Sequence, residues 1–256
     1  MTDTRETLTV IIPCYNEENG VGPTVSSVLS HAKRLPVDVR VVMIDDGSTD
    51  RTRERMEEIA REHPECVVIA NDANRGLGRA VLGSYDRIKP RSWVTVLPGD
   101  NELAFESIDN YLRVRDQYDV ILGYLQNPVI RTLGRRLASW SYTKIVATIY
   151  GFPWRYLNGM KMYRLEAFKD IEVVSSGHAF AAELLAKAQL RQPSLRIGEV
   201  PFVARGRKAG KSKAMRPRSV VRAVLEVMRG ASSVAKYRRE VIVGPGDQAI
   251  TGSTSS

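Results

Sequence analysis

Only two cysteines, Cys14 and Cys66, occur in 256 residues, which excludes a disulfide framework and any cysteine-based zinc site and suits a reducing compartment. No run of about 18 apolar residues occurs either, so no segment is expected to span a bilayer. The opening MTDTRETLTVII has acidic and polar residues where a signal peptide needs a basic start and a longer apolar run. The expectation is a cytoplasmic chain, at most peripheral at the cytoplasmic face of a membrane. Acids are scarce in one half. None stands between Asp119 and Glu166, where seven bases do: Arg131, Arg135, Arg136, Lys144, Arg155, Lys161 and Arg164. Residues 204–218, ARGRKAGKSKAMRPR, add seven more bases and again no acid. With a formal net charge of +9, this asymmetry turns the second half towards something anionic: phosphates, a membrane surface or nucleic acid. The plainer alternative is a solvated basic face.

A hydrophobic content of 43% is enough for a proper core. The first half alternates between short apolar runs and amphipathic stretches. LTVII (8–12), VRVVMI (39–44), CVVIA (66–70), WVTVL (93–97) and DVILG (119–123) are of strand length. Helical patterns are predicted over about 22–34, 50–63, 77–88 and 104–116, the second opened by Ser48-Thr49-Asp50 as a cap. Near-continuous apolar strands alternating with helices imply a mostly parallel α/β sheet covered on both faces. Beyond residue 125 the spacing predicts amphipathic helices over 130–150, 178–191 and 217–239, and a strand within 194–204. In the first of these, Ile130, Leu133, Leu137, Trp140, Ile145 and Ile149 fall roughly on one face. The last, taken as a basic amphipathic helix over 217–240, precedes a tail, 241–256, with a disordered composition.

In parallel sheets ligands bind beyond the carboxyl ends of the strands, so the loops there are the ones that matter. PCYNEENG follows the first strand, where Pro13 fixes the loop and Tyr15 and Glu17 could stack on and hydrogen-bond a base. DDGSTDRT follows the second and puts Asp45 and Asp46 on a buried strand end, which is costly without donors or a cation. Each is equally readable as a turn with a helix cap. In NDANRGLGRAVLGSYD, Gly76 and Gly78 begin a dinucleotide-like spacing, but Val81 stands where its last glycine belongs. Those glycines either let backbone approach a phosphate or sugar, or simply start a helix. The fourth run ends in PGDNEL, whose Asp100 and Glu102 are either cation ligands or a polar turn.

VIIPCYNEE, VVMIDDGSTDRT, NRGLGRAVLGSY and the strand ending in PGDNE together resemble the family-2 glycosyltransferases, most of all the branch that moves a sugar from a nucleotide onto dolichol or another polyprenyl phosphate. LNGMKMYR (157–164), GHAFAAELLAKA (177–188) and EVPFVARGRKAGKSKA (199–214) are similar to later segments of that branch. The resemblance spans about residues 8–215. It implies a GT-A fold over residues 1–216, with 8–123 as the nucleotide-binding half and 124–216 as the acceptor half, and an inverting transfer. It also implies that Pro13, Tyr15, Glu17, Asp45, Asp46, Gly76, Pro98 and Gly99 hold the nucleotide sugar. Asp100 and Glu102 would hold Mg²⁺ or Mn²⁺ on the diphosphate, and Arg207 and Lys213 would contact phosphate. Asp100, Arg207 and Lys213 are the expected catalytic residues. Arg131, Arg135, Asn158 and Glu183 are expected on the acceptor side.

Two departures stand out. The family's Asp-x-Asp is Pro98-Gly99-Asp100 here, so the first carboxylate is missing, and Arg155 stands near where the branch keeps an aspartate. The missing acids bear on the acceptor. A hydroxyl must lose a proton to a base, whereas a phosphate is already an anion and wants arginines and lysines. The expected acceptor is therefore a phosphorylated polyprenyl lipid, with the basic helices on a membrane surface and no nucleic-acid partner. Asp119 and Glu183 stay open as bases for the alternative, a hydroxyl acceptor. A sugar-nucleotide pyrophosphorylase and a non-catalytic nucleotide- or nucleic-acid-binding protein are the remaining alternatives.

Overall fold

The apolar runs form one seven-stranded sheet in the order β3-β2-β1-β4-β6-β5-β7 in the computed structural model, which describes residues 6–127, 133–157, 159–177, 179–205 and 217–243. The strands are β1 (Thr7–Cys14), β2 (Asp38–Asp46), β3 (Cys66–Asn71), β4 (Trp93–Val96), β5 (Val120–Leu125), β6 (Lys161–Arg164) and β7 (Ile197–Phe202). All neighbours are parallel except β6, which runs against both β4 and β5. The mostly parallel sheet is the expected one. β6 was not foreseen, because four residues of alternating character, KMYR, carry no apolar run.

Side chains along β1 sort with period two. Leu8, Val10 and Ile12 join one buried layer with Met43, Trp93, Ile121 and Met162, under α1 (Val21–Ala32), α2 (Thr52–Glu62) and α4 (Ile108–Arg113). Ile11 joins the other with Ile44, Val94, Val120 and Leu122, under α3 (Leu77–Leu82), α5 (Leu133–Tyr150), α6 (Leu165–Phe168) and α7 (Phe180–Arg191). Each fully buried aliphatic chain contributes about 1.5–3 kcal/mol, which is why β1 and β2 tolerate almost no polar residue mid-strand.

The C-terminal helix α8 (Pro217–Val243) packs against α7 and α5, burying Val227 and Val234. Its contact with α7 includes a hydrogen bond from an ion pair internal to α7 as well as apolar packing. Lys187 Nζ pairs with Glu183 at 2.9 Å and donates to Ser233 Oγ at 2.8 Å. The opposite sides of α5 and α8 are unusual. Leu137, Trp140, Ile145 and Ile149 of α5, and Val224, Leu225 and Met228 of α8, are all exposed, Leu137 at 61% and Trp140 at 59%. No helix among the described residues is long and apolar enough to cross a membrane.

Candidate active site

The strand order reverses beside β1. The chain moves outward through β2 and β3, then returns to place β4 on the other flank of β1. Such a reversal opens a crevice at the carboxyl ends of the two strands. The loops after β1, β2 and β4 meet there.

β1 continues through Pro13 to Cys14 instead of stopping at the proline. β4 has already ended at Val96, opposite Ile11, so the missing proline N–H leaves no ladder acceptor unsatisfied on that flank. The loop beyond is laced to the loop after β2. Asn16, in the left-handed region at φ 57°, donates its amide to Ser48 Oγ at 3.0 Å and accepts the Thr49 amide on Oδ1 at 2.8 Å. The Glu17 amide reaches Thr52 Oγ1 at 2.8 Å, and the Glu18 amide reaches Asp50 Oδ2 at 3.3 Å. Burial opposes the Asp50 charge, but the bonds from Thr52 and Glu18 outweigh it and hold the carboxyl below its usual range. Tyr15 stands at the rim with 43% exposure, as a base-stacking side chain would.

Asp45 and Asp46 have the donors their burial demands. Asp45 Oδ1 accepts the Ser48 amide at 3.0 Å. Asp46, 4% exposed, accepts the amides of Arg75 and Gly76 and Asn71 Nδ2, all at 2.9 Å. Asp46 therefore clamps the loop that opens α3. Gly76 has φ 85°, and a Cβ there would press on Ser176 O, so only glycine suits this close approach. The Gly78 amide then donates to the same Ser176 carbonyl at 2.8 Å.

Asp100 follows β4 in a turn completed by Asn101 at φ 55°, with the Glu102 amide donating to Asp100 Oδ1 at 3.1 Å. The turn sits tightly on its neighbours. A Cβ on Gly99 would collide with Cys14 Sγ, and one on Gly20 would collide with Gly99 O. Burial pushes the Cys14 thiol far up, and Glu17, Asp45, Asp100 and Asp50 push it further. One sulfur thus feels four carboxylates from three loops.

Arg205, at the exit of β7, locks this turn. Its amide donates to Glu102 O at 2.7 Å and its guanidinium to Asn101 Oδ1 at 3.1 Å, Ser27 Oγ at 3.3 Å and Glu106. Arg205 was not singled out from the sequence. Its only signal there is its place as the first base of the 205–218 run, directly after a predicted strand.

The other expected residues divide. Pro98 is exposed, Gly99 buried, and Glu102, only 8% exposed, is turned further from solvent than Asp100. Arg131, Asn158, Arg207, Lys213 and the 244–256 part of the tail lie outside the described residues, as does the Arg135 side chain on α5. Glu183 is fully buried at 0% exposure. It pairs with Lys187 and accepts the Val174 and Ser175 amides at 3.1 and 3.0 Å. Burial opposes its charge, but these bonds, Lys187 first, hold the carboxyl below its usual range. Asp119 precedes β5 at the amino edge, away from the crevice, where Arg196 grips it at 2.9 and 3.1 Å and draws its carboxyl below the usual range. Neither carboxylate that was open as a base, Asp119 or Glu183, faces the crevice.

Among the described residues no group of three or more His, Cys, Asp or Glu is close enough to form a metal cage. The acids at the crevice fit a different habit, a hard cation held by one or two carboxylates and otherwise by substrate phosphates.

The family model for glycosyl transferase family 2 matches residues 9–174, which takes in the loops after β1, β2, β3 and β4. The chain belongs to glycosyltransferase family 2. Curated family-2 relatives include a dolichyl-phosphate hexose transferase of Haloferax volcanii, 30% identical over 215 residues, covering 82% of this chain and 87% of that one. The dolichol-phosphate mannosyltransferase of Saccharomyces cerevisiae is 27% identical over 80% of this chain and 79% of its own. The dodecaprenyl-phosphate galacturonate synthase of Rhizobium johnstonii is 26% identical over 80% of this chain, which spans only 61% of that enzyme. Among solved structures, glucosyl-3-phosphoglycerate synthase of Mycobacterium tuberculosis, in complex with Mn²⁺, UDP and phosphoglyceric acid, superposes with a TM-score of 0.66 at 16% identity, over 89% of this chain and 79% of that one. That likeness establishes the GT-A fold, as the resemblance implied.

Proposed function

We propose that this family-2 enzyme transfers a sugar from a nucleotide-diphosphate sugar, GDP- or UDP-linked, to the phosphate of a polyprenyl phosphate, with inversion at the anomeric carbon. A phosphate oxygen of the acceptor attacks that carbon as its bond to the nucleoside diphosphate breaks. The products are a polyprenyl phosphosugar and the free nucleoside diphosphate. No proton has to be removed from the acceptor.

The observation that carries this reading is that, among the described residues, neither acid left open as a base is available to an acceptor. Glu183 is committed to Lys187, Asp119 lies at the far edge, and residues 120–165 contain no acid. Three sequence relatives named for polyprenyl-phosphate acceptors agree with it.

On the donor side Tyr15 offers the base a stacking face, and the Asn16–Thr52 lacing keeps Glu17 and Asp45 in place without reorganisation. Asp100, supported by Glu102, would hold Mg²⁺ or Mn²⁺ against the diphosphate. Such a cation, when bound, neutralises the charge that gathers on the leaving group. Arg207 and Lys213 would add positive charge to the same phosphates. The exposed apolar rows of α5 and α8, flanked by Arg136, Lys144 and Arg229, suit an anionic membrane surface at which a long-chain acceptor is met.

The test is transfer from labelled UDP- and GDP-sugars to undecaprenyl phosphate, to undecaprenol and to soluble sugars, with and without Mn²⁺. Label is expected on the prenyl phosphate alone. Transfer only to a hydroxyl would establish the alternative acceptor class.

A further inference from the structure

Lys161 opens β6, and β6 runs against its neighbours, so this residue lies at the carboxyl edge of the parallel strands. It pairs with Leu122 of β5. On the β4 side it lies one position beyond the Met162–Thr95 pair, towards the turn that delivers Asp100. Its partner Leu122 and its same-face neighbour Tyr163 belong to the layer packed under α5 and α7, so its side chain is on that side of the sheet. This is the acceptor half of the crevice, across β4 from the loops that would hold the nucleoside.

Among the described residues two lysines have shielded ammonium groups, and they are treated differently. Lys187 has a carboxylate at 2.9 Å, a carbonyl at 2.7 Å and a hydroxyl at 2.8 Å, and so uses all three donors within the fold. Lys161, half-buried, has one carbonyl, that of Gly159 at 3.0 Å. No carboxylate pairs with it among the described residues, and the undescribed stretches between residues 6 and 243 contain no Asp or Glu. Burial alone brings its ammonium down to about 8. A shielded cation without a counter-ion is costly, and a lysine kept only for its aliphatic stem would gain by reaching water.

We infer that Lys161 is an acceptor-binding residue, whose ammonium takes the phosphate of the polyprenyl phosphate as its missing counter-ion. The inference rests on the proposed acceptor class and names the group that recognises it. A compact ammonium with two unused donors suits a tetrahedral phosphate, and the anion supplies the charge that the fold withholds.

The test uses the full-length chain and a short soluble acceptor, citronellyl phosphate, with citronellol as its uncharged counterpart. Binding of each is measured by calorimetry for the wild type, Lys161→Met and Lys161→Arg, alongside binding of UDP and GDP in Mn²⁺. The wild type should bind the phosphate and not the alcohol. Lys161→Met should weaken the phosphate about 10- to 100-fold, Lys161→Arg should stay within about threefold, and nucleotide affinity should hold throughout. Equal phosphate affinity in wild type and Lys161→Met would overturn the inference while leaving the acceptor class standing. A wild type that ignores citronellyl phosphate would remove both. Should Lys161→Met not fold, Lys161→Gln makes the same comparison; failure of both to fold would make Lys161 a structural residue and overturn the inference.

Discussion

The Arg205 guanidinium donates to Asn101 Oδ1 at 3.1 Å, so a residue at the exit of β7 holds the turn that presents Asp100 over a hundred positions earlier in the chain. The same side chain also reaches Ser27 and Glu106. The basic stretch of the sequence starts at this residue, so the turn proposed to hold the donor is anchored where that stretch begins. Arg205→Ala removes charge-assisted bonds worth about 1.5–3 kcal/mol each at most, less at this half-exposed position. The Mn²⁺ concentration for half-maximal transfer should rise several-fold with little change in the melting temperature. An unchanged metal requirement would mean the turn holds itself.

Asp100→Ala should abolish transfer, by at least about 100-fold, while thermal melts stay close to wild type, because Asp100 is not in the core. Glu102→Ala should weaken metal dependence more than folding. Kinetics over a Mn²⁺ titration, beside melts of the same preparations, separate the two effects.

Pro98 occupies the position of the family's first aspartate and is exposed at the crevice rim. Pro98→Asp should therefore restore a carboxylate at little cost in stability and tighten Mn²⁺ binding severalfold, read from the metal titration of a nucleotide-bound sample. No gain would mean that the turn directs this position away from the cation.

Glu183 and Lys187 make a buried pair, so removing the acid strands a cation in the core. Glu183→Ala should cost about 3–5 kcal/mol in urea melts at neutral pH. The pH dependence has a definite sign. The Glu183 carboxyl is held below its ordinary value of 4.5 in the fold, so its contribution is complete above about 4.5 and disappears as pH falls through the lower folded value. The gap between wild type and Glu183→Gln should therefore narrow on acidification from pH 5 to 3.

The sequence made the sheet legible because the central stretches of β1, β2 and β5 are buried and almost wholly apolar, and the strand-end loops followed from that. β6 was hidden because four alternating residues at the centre of a sheet look like any short polar segment. Asp46 was legible as a site residue but not as a clamp. Its partners, the amides of Arg75 and Gly76, are about thirty positions away and carry no side-chain signal. Arg205 was obscured by the bases around it, and Lys161 by its unremarkable place within KMYR. The role of Glu183 turned on Lys187 one helical turn later, a spacing that fits a surface pair as well as a buried one.

The exposed apolar row on α5 makes a separate prediction. Flotation with vesicles containing anionic phospholipid should recover the wild-type chain, and Leu137→Ser with Trp140→Ser should reduce recovery severalfold while leaving transfer to citronellyl phosphate intact. Equal recovery would place any membrane contact elsewhere.

The central claim concerns the bond that is made, and phosphorus NMR of the product tests it most directly. With undecaprenyl phosphate, the nucleotide sugar that supports turnover, and Mn²⁺, the acceptor's monoester signal should be replaced by that of a phosphodiester carrying the sugar at its anomeric carbon. A sugar found on a hydroxyl oxygen, with the prenyl phosphate still a monoester, would contradict the account.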